Sequence, residues 1–133
     1  MRAYVTNAFT PERLHEEITG ADSHVVVAES GETIVGYARL LKHRDGEGER
    51  PGIELVRLYV DSAYHGRGIA DALMDACIAE ARVRGHASMW LGVWEHNPRA
   101  QRFYARYGFE RVGEQTFVLD DDRQTDWIME RAI

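Results

Sequence analysis

The feature that most restricts the fold is a pair of short apolar runs with one long amphipathic segment between them. Residues 53–60 (IELVRLYV) and 88–94 (SMWLGVW) are almost continuously apolar, the pattern of strands buried on both faces. Between them Ile69, Leu73, Ala76, Cys77 and Ala81 recur at helical spacing. This predicts a helix from about Gly66 to Arg84, terminated by Gly85. A strand, a crossover helix and a strand of this size make a βαβ unit, so the two strands are expected parallel in one sheet.

The flanking segments extend that sheet. Thr10-Pro11 reads as an N-cap and first helical position, with Leu14 and Ile18 on one face and Gly20 as the stop. Residues 24–29 (HVVVAE) and 33–41 read as a hairpin around Ser30-Gly31-Glu32. Residues 43–52 (HRDGEGERPG) form a polar, glycine-rich loop. Asn97-Pro98 opens a second helix that turns Ala100, Phe103, Tyr104 and Tyr107 inward and ends at Gly108. Residues 109–119 and 125–131 read as strands around the acidic turn Asp120-Asp121-Asp122. The fold class is therefore α/β, a mixed central sheet flanked by helices.

A chain of 133 residues with 44% apolar and 29% charged side chains is expected to form one globular domain over residues 1–133. The single cysteine, Cys77, excludes an internal disulfide and a paired-cysteine metal site. Six histidines without HxH or HxxxH spacing predict no metal. No apolar run approaches the ~20 residues that span a bilayer, and no signal-peptide pattern follows Met1. No membrane association and a cytoplasmic location are expected.

The net charge of −6 disfavours nucleic acid as a partner. Its distribution is uneven. Residues 1–63 carry 7 basic and 11 acidic groups, residues 64–106 carry 6 and 4, and residues 107–133 carry 3 and 7. A mildly positive middle between acidic ends fits an anionic ligand held centrally and a cationic one admitted by the flanks, although chance produces such a pattern as readily.

The segment His65-Gly66-Arg67-Gly68-Ile69-Ala70 lies between a buried strand and a long helix. Two glycines allow a tight turn and close backbone approach, and the helix start offers unpaired N–H groups and a positive dipole end. Together they make a phosphate cradle. The segment lacks the Gly-Lys-Ser/Thr of a Walker A loop. Asp71 stands where a dinucleotide fingerprint needs a small residue.

Downstream, Asn97-Pro98-Arg99-Ala100-Gln101-Arg102-Phe103-Tyr104-Ala105-Arg106-Tyr107-Gly108-Phe109 resembles the N-x-x-A-x-x-F-Y-x-x-x-G-F signature of the GCN5-related N-acetyltransferases. His65 to Ala70 is similar to that family's Q/R-x-x-G-x-G/A acyl-CoA motif, and residues 53–60 resemble its central strand. The resemblance covers residues 10–133. Trp90 to Glu95, Asn97 and residues 116–129 look closest to the bacterial spermidine/spermine acetyltransferase branch.

The resemblance implies acetyl-CoA as co-substrate, wedged between two parallel strands that splay apart. Leu58, Tyr59 and Val60 would lie along the pantetheine arm, with the backbone of Leu58 and Val60 pairing with it. His65, Gly66, Gly68, Ile69 and Ala70 would hold the pyrophosphate, with Arg67 close by. Asn97 would bond the pantetheine amide, Phe103 would line the site and Arg106 would reach the nucleotide phosphate. Tyr104 would donate a proton to the leaving thiolate. An alkylammonium acceptor must lose a proton at pH 7, and a carboxylate near the pocket helps, directly or through water. Glu54, an acid on a buried strand, is the first candidate, and Glu95 and His96 the second.

Two departures from the family stand out. His65 replaces the usual glutamine or arginine, and the family's first strand and helix are expected to be missing here. An uncovered edge would favour a homodimer. The expected function is acetyl-CoA-dependent N-acetylation of a small-molecule primary amine, a polyamine foremost, by direct attack in a ternary complex. The competing expectation is a catalytically silent acyl-CoA-binding or regulatory module on the same fold.

Overall fold

The computed structural model of the chain describes residues 2–6, 23–43 and 52–133. Seven strands form one sheet: β1 (Arg2–Thr6), β2 (Ser23–Ser30), β3 (Thr33–Lys42), β4 (Ile53–Val60), β5 (Ser88–Trp94), β6 (Glu110–Leu119) and β7 (Asp122–Ala132). Their spatial order is β1-β2-β3-β4-β5-β7-β6. All neighbours are antiparallel except β4 and β5, which run parallel, joined by helix α1 (Ile69–Val83) as the βαβ pattern requires. Helix α2 (Pro98–Arg106) follows β5.

The two described helices lie on one face of the sheet. Leu73, Met74, Cys77, Ile78 and Ala81 of α1 are buried with Val26, Ala38, Leu40, Leu55 and Leu91 from four strands. Each large side chain among them contributes ~1.5–3 kcal/mol by leaving water. Ala100, Phe103, Tyr104 and Tyr107 bring α2 and its C-cap onto the same core. Alternation puts Val25 and Val27 on the opposite face, where they pack with Ile34 and Tyr37.

Two irregularities in β4 open the sheet and sort its side chains between the two faces. Arg39 pairs with Arg57 and Leu40 with Leu55, so Val56 is an extra residue, a β-bulge. Before the bulge Ile53 and Leu55 face the helices; after it Leu58 and Val60 do. Glu54 therefore faces away from them. In addition, β4 pairs with β5 only at Ile53↔Met89 and Glu54↔Trp90. Beyond those two pairs the strands diverge, which is the splay that the resemblance implied.

The expectation of a sheet without its first strand is corrected, because Arg2–Thr6 pairs antiparallel with Val25–Glu29. Five residues at a sheet edge are defined by the neighbour's backbone more than by their own periodicity, so their signal in the sequence is weak. Helix α1 starts at Ile69 rather than Gly66, because Gly66 and Gly68 hold left-handed backbone (φ 79° and 77°) that cannot propagate a helix. A short 3₁₀ turn, Ser62–Tyr64, precedes them. Strand β7 begins at Asp122, leaving Asp120 and Asp121 as the two-residue turn with φ of 47° and 67°. The helix expected over residues 10–20 and most of the loop expected over 43–52 lie outside the described residues.

Candidate active site

A cleft of about 650 Å³ opens on the helix-bearing side of the sheet, where β4, the start of α1 and α2 converge. Of the residues singled out from sequence, Leu58, Val60, His65, Gly66, Gly68, Ile69, Ala70, Asn97, Phe103, Tyr104 and Arg106 line it.

The floor of the cradle is the start of α1. Gly68 is its N-cap in left-handed conformation, with no side-chain cap. The first helical bond runs from Ala72 N to Gly68 O at 3.0 Å. The N–H groups of Ile69, Ala70 and Asp71 consequently have no acceptor within the helix and sit at the cleft. His65 donates Nε2–H to the carbonyl of Val60 at 3.0 Å, tying the motif's first residue to the end of β4.

Helix α2 forms the opposite wall. Asn97 caps it, its Oδ1 accepting from Ala100 N at 3.2 Å. That leaves the Nδ2 donors of Asn97 to serve a ligand. Gln101 fixes the approach to the helix by donating to the carbonyls of Trp94 (3.0 Å) and Glu95 (2.9 Å). Tyr104 packs edge-on against Phe103 and Phe109, with ring centroids 5.4 and 5.9 Å away. Burial, with a smaller effect from Cys77 nearby, pushes its phenol above the usual value. Its hydroxyl is protonated at neutral pH.

Arg99, Arg102 and Arg106 all line the cleft. They fall three and four residues apart, so one stripe of α2 is cationic. Arg106 lies 3.8 Å from Asp71 Oδ1 and over the Phe103 ring at 5.5 Å. Asp71 also accepts the Tyr107 hydroxyl at 2.7 Å. An open α1 N-terminus and three arginines make this wall suited to phosphate. Tyr64, Asp71, Arg99 and Arg102 were not anticipated as lining residues. The arginine spacing in the sequence was the available signal.

Five anticipated residues do not line the cleft. Arg67 lies beside it with its guanidinium over the Tyr64 ring at 5.2 Å. Tyr59 faces the other side of the sheet, tilted against Tyr37 at 5.7 Å and 45% exposed. Glu54 also faces that side. There its Oε1 accepts Nε2–H of His43 at 2.6 Å, and His43 stacks on Trp90 at 5.5 Å. Nothing in the local sequence around either residue couples His43 to Glu54. Glu95 and His96 lie beyond the end of β5, 3.3 Å apart and well exposed. The structure thus separates the candidates into two groups, the cradle and Tyr104 on one face and Glu54 with His43 on the other. The gap between β4 and β5 opens next to Glu54. Among the described residues no His, Cys, Asp and Glu side chains gather to hold a metal ion, and no described helix is long and apolar enough to cross a membrane.

Comparison with known proteins agrees with this geometry. An uncharacterised N-acetyltransferase of Mycobacterium tuberculosis is 37% identical over 131 residues, covering 98% of this chain and 81% of that one. The crystal structure of a ribosomal-protein-alanine N-acetyltransferase from Brucella melitensis superposes with a TM-score of 0.77 at 28% identity, over 91% of this chain and 75% of that one. The PaiA N-acetyltransferase of Thermoplasma acidophilum in complex with coenzyme A shares the fold, with a TM-score of 0.72 at 23% identity over 92% and 70% of the two chains. The sequence pattern of the acetyltransferase (GNAT) family matches residues 2–109. With a splayed parallel strand pair, a glycine cradle and a capped second helix in place, the chain belongs to the acetyltransferase (GNAT) family.

Proposed function

We propose that this protein transfers the acetyl group of acetyl-CoA to the primary amine of a small cationic acceptor, a polyamine foremost. The observation that carries the reading is the opening of β4 from β5 after only two residue pairs, beside the α1 cradle. A pantetheine arm fits such an opening by pairing with an exposed strand edge. The cradle N–H groups and the α2 arginines suit the phosphates, and Asn97 Nδ2 suits a pantetheine carbonyl. Acetyl-CoA supplies an activated thioester when bound.

In this reading the acceptor approaches from the face that carries Glu54. An alkylamine is largely protonated at pH 7 and must lose a proton to attack. Glu54, oriented by His43, takes that proton directly or through water. Backbone N–H groups of the splayed strand stabilise the tetrahedral oxyanion. Tyr104 donates its phenolic proton as the thiolate leaves. The acidic ends of the chain favour a polycation over a neutral-chain amine, an attraction screened beyond ~8 Å at physiological ionic strength. The likeness to a ribosomal-protein-alanine acetyltransferase motivates a second reading, in which the acceptor is the α-amine of a peptide. The homodimer expected from sequence would now form through the outer edge of β1 or of β6, the two ends of the sheet.

Thiol release from acetyl-CoA, measured with spermidine, a simple monoamine and an alanine-initiated peptide, tests the reading. The highest kcat/KM is expected for spermidine, with an advantage that shrinks as salt is added. Preference for the peptide would establish the second reading. No release with any amine, together with a rise in melting temperature on adding acetyl-CoA, would instead establish the silent binding module. Light scattering at micromolar concentration tests the dimer.

A further inference from the structure

On the face of the sheet away from the helices, a carboxylate lies across the β5 arm of the strand gap. Gly92 sits two residues beyond Trp90, the last position where β5 pairs with β4, hence about 7 Å further along the strand. Because residue 92 has no side chain, Asp126 of β7 leans over it. A Cβ at position 92 would stand 3.3 Å from Asp126 Oδ2. The directly opposed partner of Asp126 on β5 is Trp94, whose indole is 48% exposed. The opposed residue on β6 is the neutral Gln115. Among the described residues Asp126 has neither a hydrogen-bond nor an ion-pair partner, and partial burial raises its carboxyl above the usual value. The carboxylate is open to a ligand, and the adjacent Trp94 indole, which meets the His96 ring in a T-shaped contact at 5.3 Å, leaves about half of its surface for an alkyl chain.

We infer that Asp126 and Trp94 form a subsite for a second positive group on the acceptor, so that the preferred substrate is a diamine or longer polyamine. This inference rests on the acetyltransferase reading above and adds to it the place where the non-reacting ammonium binds. The reacting amine lies nearer Glu54, at the closed end of the gap. The distal ammonium donates to Asp126 while its alkyl chain lies on the indole of Trp94. A Cβ at position 92 would crowd the carboxylate at 3.3 Å and shift it from its place over the strand. The Asp120-Asp121 turn, at the far end of the β6–β7 hairpin, is not part of the subsite.

The test compares 1,4-diaminobutane with n-butylamine in the wild type, Asp126→Asn and Gly92→Ala. A charge-assisted hydrogen bond contributes enough that its loss is expected to raise the diamine KM about tenfold more than the monoamine KM. The diamine kcat should change less than the diamine KM. Gly92→Ala should shift the same ratio in the same direction, and Asp126→Glu should restore part of it. The melting-temperature rise given by acetyl-CoA reports that each variant is folded and binds the co-substrate. An unchanged diamine-to-monoamine ratio in folded Asp126→Asn, or an equal loss for both amines, overturns this inference alone. A wild type that acetylates no amine overturns it together with the acetyltransferase reading.

Discussion

The Tyr107 hydroxyl donates to Asp71 Oδ1 at 2.7 Å, joining the C-cap of α2 to the first turn of α1. The bond ties together the two helices that wall the cleft, Asp71 lining it and Tyr107 standing just past the last turn of α2. It also keeps Asp71 occupied, so that this carboxylate opposes incoming phosphate less than a free one would. Arg131 supports the same corner by donating to the Tyr107 carbonyl at 2.6 Å.

Tyr107→Phe removes this bond and is expected to cost ~0.5–1.5 kcal/mol of stability in urea titration. The pH dependence comes from the raised phenol, which burial and then the bond to Asp71 hold above its ordinary value. A group with a raised folded pKa stabilises fully below its unfolded value, near pH 10 for tyrosine, and loses that contribution as pH climbs through the folded one. The wild type should therefore lose stability more steeply than Tyr107→Phe above about pH 10. Parallel curves would remove the pH-linked role of this bond.

Cys77 should be inert in the native protein. Burial, with a smaller effect from Glu80, pushes its thiol up to about 12 from the ordinary value of 9.0. The thiolate is the reactive form, and it is scarce and covered here. Reaction with a disulfide reagent at pH 8 should track unfolding by denaturant. Fast labelling without denaturant would contradict the packing described. The associated stability is complete below pH 9 and lost as pH rises toward about 12.

Tyr104→Phe should lower kcat by the ~10²–10⁴ typical of a lost proton donor, with little change in acetyl-CoA affinity. Equal losses in affinity and kcat would make Tyr104 a packing residue. In Glu54→Gln, a fall in kcat with an altered acid limb of the pH–rate profile is expected. An unaltered profile would move the proton-accepting role to Glu95, His96 or bulk water.

Gly68→Ala forces a side chain into left-handed backbone at the cradle, at a cost of ~1–2 kcal/mol. Gly31 provides a control. It has a similar φ of 63° against 77° for Gly68, and neither position has an atom within 4 Å of an added Cβ. Gly31→Ala should destabilise comparably, but only Gly68→Ala should also weaken acetyl-CoA binding, read as a smaller ligand-induced rise in melting temperature. Equal binding in the two variants would remove the cradle from the site.

The parts of the molecule that the sequence made legible are those with a local physical signature. The βαβ core announced itself through apolar periodicity, and the cradle through two glycines before a helix. The resemblance pointed to α2, whose cap is visible as Asn97-Pro98. What stayed hidden depends on register. The bulge at Val56 exchanges the two faces of β4, so the outward direction of Tyr59 cannot be read from alternation alone. His43 meets Glu54 because β3 pairs with β4, and Asp126 meets Gly92 because β7 pairs with β5. Neither contact has a signature within its own segment. The edge strand Arg2–Thr6 was missed for the same reason.

The divergence of β4 from β5 leaves two facing strand edges inside one sheet. Edges of this kind are what sheets usually hide, since any extended peptide of suitable length can add to them. In the proposed reading, a co-substrate arm seated there would act as a plug against foreign strands as well as a reactant. Saturating acetyl-CoA should therefore suppress aggregation by more than its effect on global unfolding accounts for. The protection should be greatest where peptide backbone, rather than side chains, would compete for the slot.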